Sequence, residues 1–117
     1  MGQPVVHFEF WSEHPAQLAD FYTKAFDWNI RLIEEMSYHM VESAGEGGIG
    51  GGIMTPQKGP WPGNTSLYIA VDDLDVFKER IKAAGGTIVV ERQEVPDVGA
   101  FALFEDPDGR VLGIWQR

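Results

Sequence analysis

Residues 66–86 read SLYIAVDDLDVFKERIKAAGG, and they contain the signals of a strand, a helix and a helix stop in that order. The segment SLYIAV is rich in β-branched and aromatic residues, which is typical of a strand. Asp72 or Asp73 then offers an N-cap. One face of the helix that follows is apolar and is formed by Leu74, Phe77 and Ile81. The glycine pair at 85–86 ends this helix, so the stretch predicts a strand followed by an amphipathic helix.

The same order of elements occurs twice in the chain. After residue 86 come three strand-like segments, TIVVER at 87–92, VGAFALFE at 98–105 and VLGIW at 111–115, with the tight turn DPDG at 106–109. Before residue 66 the chain offers the strand VVHFEFW at 5–11, the helix PAQLADFYTKAF at 15–26, and strands at 28–34 and 37–42. Each half therefore reads strand, helix and three strands, if a fourth strand exists near residue 50.

The glycine-rich stretch 45–54 supplies that strand. Its first six residues, GEGGIG, fit the glycine pattern of a dinucleotide-binding loop, but such a loop needs a helix directly after it. The following residues, GGIMTPQKGPWPG, cannot begin a helix. We therefore expect a turn at Gly45–Gly47, a glycine-rich strand and no nucleotide site. The glycines of this strand either allow the close approach of a ligand or backbone, or mark a bulge at a sheet corner.

The repeat predicts an α+β fold in a single domain, residues 1–117. Module one covers about 4–54, a linker covers about 55–65, and module two covers about 66–117. Trp61 in the linker could form a lid or pack across a dimer interface.

Composition and charge narrow the partners. The 117 residues carry 18 acids against 9 bases, a net charge of −9, and this surface repels nucleic acid and anionic membranes. The chain has no cysteine, which excludes disulfides, thiolate nucleophiles and cysteine-based zinc sites. The first residues show neither a signal peptide nor a membrane span. We expect a cytoplasmic protein.

Strand alternation places candidate site residues on one face of the sheet. In the first strand Val6, Phe8 and Phe10 share a face that we expect under the helix, whereas His7, Glu9 and Trp11 share the other face. In the second module Ser66, Tyr68 and Trp115 lie on the corresponding face. The mixture of polar and aromatic side chains predicts a partly polar cleft there.

Several segments together resemble the vicinal oxygen chelate superfamily, which includes glyoxalase I, bleomycin-resistance proteins and extradiol dioxygenases. They are HFEF with ADFYTKAFDW, then GGIGGGI, SLYIAVDDLD and FEDPDGRVLGIW, and they cover nearly the whole chain. The resemblance implies two tandem βαβββ modules that form an eight-stranded half-open barrel, with a homodimer as the common assembly. It also implies that metal-dependent members hold one divalent metal in the cup.

The ligand positions implied by the resemblance fall on His7, on Gly50, Gly51 or Gly52, on Ser66 and on Gly113. Only His7 has a ligand-type side chain, and catalytic metal sites keep about three protein ligands. We therefore expect no metal cofactor, with His7 the ligand if a divalent metal binds. Glu9, or His39 and Glu42 on the third strand, could add a donor.

The sequence leaves two functions open. The first is a metal-independent binding module for a small organic ligand, with Gly51, Ser66, Tyr68, Gly113 and Trp115 as ligand-binding residues. The second is a lyase or isomerase, similar to lactoylglutathione lyase, that acts on a small carbonyl compound with His7 and Glu9 as catalytic residues, with or without a divalent metal. His7 itself has three interpretations: a hydrogen-bonded structural histidine, a general base, or a lone metal ligand.

Overall fold

The computed structural model describes residues 2–43, 45–56 and 65–117. Within these residues two α-helices, α1 (Pro15–Phe26) and α2 (Leu74–Ala83), accompany one eight-stranded sheet. The strands are β1 (Val5–Trp11), β2 (Ile30–Ile33), β3 (Tyr38–Val41), β4 (Gly50–Met54), β5 (Thr65–Ala70), β6 (Thr87–Val95), β7 (Gly99–Glu105) and β8 (Val111–Gln116). Most of the predicted linker, residues 57–64 including Trp61, lies outside the described residues.

The strand order shows the duplication directly. It runs β2-β3-β4-β1-β5-β8-β7-β6, so each module contributes four adjacent strands in the same internal order. Within each module the first and last strands pair in parallel, β1 with β4 and β5 with β8. The modules join where β1 and β5 pair antiparallel. The α+β fold of two βαβββ modules is confirmed, and the sheet is not closed because β2 and β6 remain its edges.

Both helices cover the same face of the sheet, as the apolar faces of the strands predict. Under α2, the cluster of Val71, Leu74, Ala102, Phe104 and Ile114 is buried. Under α1, Ala19, Val41 and Ile53 are buried, with Phe8 and Phe10 packed against them. In the described part of the chain, no helix is long and apolar enough to cross a membrane.

The other face of the sheet, called the open face below, carries neither α1 nor α2 and is strongly curved. Trp11 of β1 shares one packed cluster with Leu103 of β7, and Val90 of β6 packs against that cluster. These strands lie three and four places from β1 in the sheet. Side chains so far apart meet only because the sheet curls around them, which buries polar groups at the junction of the modules.

The glycine-rich stretch folds as its context predicts. Gly45 and Gly47 have φ of 77° and 85° in a turn, and strand β4 begins at Gly50. A strand rather than a helix therefore follows the GEGGIG pattern, and the arrangement that binds a dinucleotide pyrophosphate is absent from these residues.

The N-cap of α2 is Asp73, one of the two candidates from the sequence. Its carboxylate accepts hydrogen bonds from the backbone N–H groups of Asp75 and Val76 at 3.0 and 3.2 Å. Replacing Asp73 with Ala should lower the free energy of unfolding by about 1 kcal/mol, because two N–H groups of the first turn lose their acceptor. The neighbouring Asp72→Ala is the control and should cost less than about 0.5 kcal/mol in urea denaturation. Equal costs would show that Asp73 does not cap the helix.

Candidate functional site

The centre of the open face is the buried carboxylate of Glu9, which is 4% exposed. Three side chains donate hydrogen bonds to it. Trp11 Nε1 and the Tyr68 hydroxyl donate to Oε1 at 2.8 and 3.1 Å, and the Tyr38 hydroxyl donates to Oε2 at 2.8 Å. Both carboxylate oxygens are therefore already bound by groups of the protein itself.

Strand pairing brings these four groups together. Glu9 and Trp11 are two residues apart on β1 and so share a face. Tyr68 lies on β5, which pairs with β1, and Tyr38 lies on β3, which is separated from β1 by β4. The donors thus come from both modules, and the Glu9 carboxylate links the two halves of the sheet. We call Glu9, Trp11, Tyr38 and Tyr68 the carboxylate cluster.

Two strand glycines make room for the tyrosine rings of this cluster. A Cβ atom on Gly52 of β4 would overlap the Tyr38 ring, and one on Gly113 of β8 would overlap the Tyr68 ring. Each glycine belongs to the last strand of its module. The glycines of these strands therefore permit close approach, although what approaches is an aromatic side chain of the same chain.

Burial raises the pKa values of the titratable side chains in this cluster. Loss of water raises the pKa of Glu9, although its hydrogen bonds from Trp11, Tyr38 and Tyr68 act in the opposite direction. Burial and the neighbouring Glu9 charge raise the pKa of Tyr38 and of Tyr68 well above the usual range. Both tyrosines keep their hydroxyl protons at neutral pH and act as donors to the carboxylate.

His7 lies beside the cluster. Its Nε2 atom is 2.7 Å from the Tyr38 hydroxyl oxygen, and its ring meets the Tyr68 ring edge-on at 5.6 Å between centroids. The half-buried imidazole has a pKa lowered by burial, so it is neutral at pH 7. His7 is thus connected to Glu9 through one tyrosine hydroxyl.

This lowered pKa predicts a pH-dependent stability. Below the ordinary histidine pKa of 6.5 the unfolded chain takes up a proton at His7 that the folded chain does not, so stability falls as pH decreases toward the lower folded value. The raised pKa of Glu9 acts with opposite sign above its ordinary value of 4.5. The urea midpoint should therefore decrease less between pH 7.5 and pH 5.5 in His7→Gln than in the unsubstituted protein. The exposed His14→Gln is the control, and an undiminished fall in His7→Gln would contradict the prediction.

The remaining predicted ligand-binding residues differ in burial and in the face of the sheet on which they lie. Ser66 is 1% exposed and donates to the Val111 carbonyl at 3.0 Å, which leaves its hydroxyl hydrogen engaged inside the protein. Trp115 is half-buried on the open face, packed against the cluster that contains Trp11 and Tyr68. Gly51 lies on the helix side, where a Cβ would meet the Phe8 ring, and Gly52 takes the place facing Glu9.

Neither His39 nor Glu42, the two residues of the third strand considered in the sequence, contacts Glu9. His39 is paired with Ile53 and so faces the helix side, where it lines a cavity of about 590 Å³ together with Pro15 and Leu32. Glu42 accepts a hydrogen bond from Asn29 at 2.6 Å on the surface. Tyr38 is the side chain of this strand that contacts Glu9, and its face depends on the pairing of Met40 with Gly52, which the sequence does not reveal.

A divalent metal does not fit this donor set. Across residues 2–43, 45–56 and 65–117, no group of three or more His, Cys, Asp or Glu side chains could hold a metal ion. The position equivalent to His7 in module two is Ser66, and the two last strands offer glycines. Glu9, the one carboxylate at the centre, already receives three hydrogen bonds. A metal would have to displace donors that satisfy it.

A sequence profile of the glyoxalase/bleomycin resistance protein/dioxygenase superfamily matches residues 5–114. The chain belongs to this superfamily. The match covers both modules, and the resemblance noted in the sequence is confirmed. A superfamily member from Vibrio splendidus 12B01 has the same fold, with a TM-score of 0.69 at 12% identity over 99% of this chain and 100% of that one.

Two curated proteins share a higher sequence identity with this chain than the Vibrio protein does. The anthracycline biosynthesis protein DnrV of Streptomyces peucetius is 30% identical over 94% of this chain and 46% of its own length. The CFP32 protein of Mycobacterium tuberculosis (strain CDC 1551 / Oshkosh) is 36% identical over 65% of this chain and 29% of its own length. The chain thus spans less than half the length of either relative.

Proposed function

We propose that this superfamily domain binds a small, partly aromatic organic molecule on its open face and does so without a metal ion. The observation that carries the proposal is that Glu9 accepts three hydrogen bonds, from Trp11, Tyr38 and Tyr68. A carboxylate that would otherwise attract a cation is here stabilised by neutral donors. The centre of the open face therefore offers aromatic surface and hydrogen bonds rather than a Lewis acid.

The side chains around the cluster suit a flat ligand. Phe101 and Trp115 lie half-buried near Tyr68, and Phe101 meets the Tyr68 ring edge-on at 6.1 Å. Aromatic groups with a few placed polar atoms are the usual lining of small-molecule sites. The similarity to DnrV, which is named for anthracycline biosynthesis, supports a polycyclic aromatic ligand of this kind.

Protein prepared without a metal-affinity tag tests both halves of the proposal. Elemental analysis should find far less than one zinc, nickel, iron or manganese ion per chain, and EDTA should leave ligand affinity unchanged. Anthraquinone added to the protein should quench tryptophan fluorescence. One metal per chain together with loss of binding in EDTA would overturn the metal-free assignment.

Two tryptophans on opposite faces locate the ligand. Trp115 is on the open face and Trp28 packs with Phe8 and Phe10 on the helix side. Quenching should be reduced in Trp115→Phe and retained in Trp28→Phe. The reverse result would place the aromatic ligand against the helices.

A second candidate function is a metal-free lyase or isomerase. It is favoured by the connection from His7 through the Tyr38 hydroxyl to Glu9, at 2.7 and 2.8 Å. Because Glu9 is buried, His7 would be the group that meets a substrate. Turnover of the methylglyoxal–glutathione hemithioacetal that persists in EDTA and disappears in His7→Ala would favour this function, whereas binding without turnover favours the first.

A further inference from the structure

We propose that Tyr38 positions His7 as the Nε2–H tautomer, so that Nδ1 is the acceptor for a hydroxyl group of a phenol or enol bound on the open face. The inference rests on the proposed binding function and deepens it. It adds the chemical class of the ligand and the atom that recognises it.

The single hydrogen of the Tyr38 hydroxyl determines the tautomer of His7. Tyr38 has one hydroxyl hydrogen, and the hydroxyl donates it to Glu9 Oε2 at 2.8 Å. The same oxygen can then only accept a hydrogen bond from His7 Nε2, which lies 2.7 Å away. Nε2 must carry the hydrogen, and because a neutral imidazole has one N–H group, Nδ1 carries the lone pair.

The surroundings oppose the reversed arrangement. If Tyr38 turned its hydrogen toward His7, Glu9 Oε2 would lose its donor inside a buried site, which is unfavourable. The Tyr38 ring is held over Gly52, and the His7 ring lies nearly parallel to it with an interplanar angle of 16°. Tyr38 acts through His7 and is a positioning residue.

Nδ1 is available to a ligand. Within the described residues, the His7 ring forms one hydrogen bond, to Tyr38. The one buried side-chain nitrogen or oxygen atom in these residues without a hydrogen-bond partner is His39 Nδ1. His7 Nδ1 is therefore neither satisfied by the protein nor sealed away from solvent. A lone pair selects a donor such as a phenol or enol hydroxyl, and it repels an ether or carbonyl oxygen in the same place.

Nitrogen NMR of the free protein tests the positioning step without any ligand. Protein labelled with ¹⁵N should show His7 as one neutral tautomer with a protonated Nε2 at pH 7.5. In Tyr38→Phe this preference should be lost, whereas Tyr22→Phe, at the tyrosine outside the cluster, should leave it unchanged. A protonated Nδ1 in the unsubstituted protein would overturn the proposal.

Ligand binding tests the recognition step with a matched probe pair. We expect 2-hydroxyanthraquinone to bind about tenfold more tightly than 2-methoxyanthraquinone, the equivalent of one hydrogen bond. His7→Gln keeps an N–H donor near the Nε2 position but has no acceptor at the Nδ1 position, so the preference should vanish. His7→Asn places an amide oxygen near the Nδ1 position and should keep part of the preference.

The two experiments separate the possible failures. If the NMR result holds and neither anthraquinone binds, the aromatic-ligand function and the phenol class are both overturned, and the tautomer stands as a property of the fold. If both probes bind equally, or if the preference for the hydroxyl persists in His7→Gln, the proposed function survives and Nδ1 recognition is overturned.

Discussion

Replacing Glu9 with Leu is expected to lower the free energy of unfolding by about 3–5 kcal/mol, because it leaves buried donors of Trp11, Tyr38 and Tyr68 without an acceptor. The three hydrogen bonds measure between 2.8 and 3.1 Å and join both modules at one carboxylate. Urea or guanidinium denaturation monitored by circular dichroism gives the difference. The loss comes from stranded donors rather than from the charge of Glu9 itself.

A compensated variant separates these causes. In Glu9→Leu combined with Tyr38→Phe and Tyr68→Phe, the two hydroxyl donors are removed together with their acceptor, and part of the lost stability should return. Tyr38→Phe and Tyr68→Phe alone should each cost about 1.5–3 kcal/mol, as expected for a hydrogen bond to a charged group. Tyr22→Phe on α1 is the matched control, with an expected cost below about 0.5 kcal/mol. A triple variant less stable than Glu9→Leu would contradict this assignment.

Replacing Gly52 with Ala is expected to cost about 3 kcal/mol or more. The added Cβ would overlap the Tyr38 ring, which must then move and lose its hydrogen bond to Glu9. Gly2→Ala is the control because nothing lies within 4 Å of its Cβ position. Thermal or denaturant unfolding measures both variants.

A double-mutant cycle tests whether Tyr38 is the cause. With Tyr38 already replaced by Ala, the further change Gly52→Ala should cost less than about 1 kcal/mol, since the ring that blocked the methyl group is gone. Equal costs in the two backgrounds would show that Gly52 is required by its backbone conformation and not by the tyrosine.

The two-module fold could be predicted from the sequence because local signals repeat in the same order. The cap and apolar face of α2 and the turn at 106–109 mark the second module clearly. The face shared by His7, Glu9 and Trp11 followed from strand alternation alone. These signals arise from residues that are close together in the sequence, so a single sequence is enough to recognise them.

The partners of Glu9 could not be predicted because they depend on register between strands distant in sequence. A shift of one residue in β4 would exchange Gly51 and Gly52 between the faces, and the glycine run contains no side chain that fixes the choice. Tyr38 follows a short 3₁₀ turn at Glu34–Met36, so its face was equally undetermined. At Glu9 itself the predicted cleft is filled, because the sheet curls and brings Trp11 and two tyrosines onto the carboxylate.

We propose that hydrogen bonds from Trp11, Tyr38 and Tyr68 hold the Glu9 carboxylate, so that no metal ion binds there. Crystals grown in excess zinc and measured at the zinc absorption edge test it most directly. We expect no anomalous peak beside Glu9, with Trp11, Tyr38 and Tyr68 within hydrogen-bond distance of its carboxylate. An anomalous peak about 2 Å from the Glu9 carboxylate and from His7, with Tyr38 turned away, would contradict it.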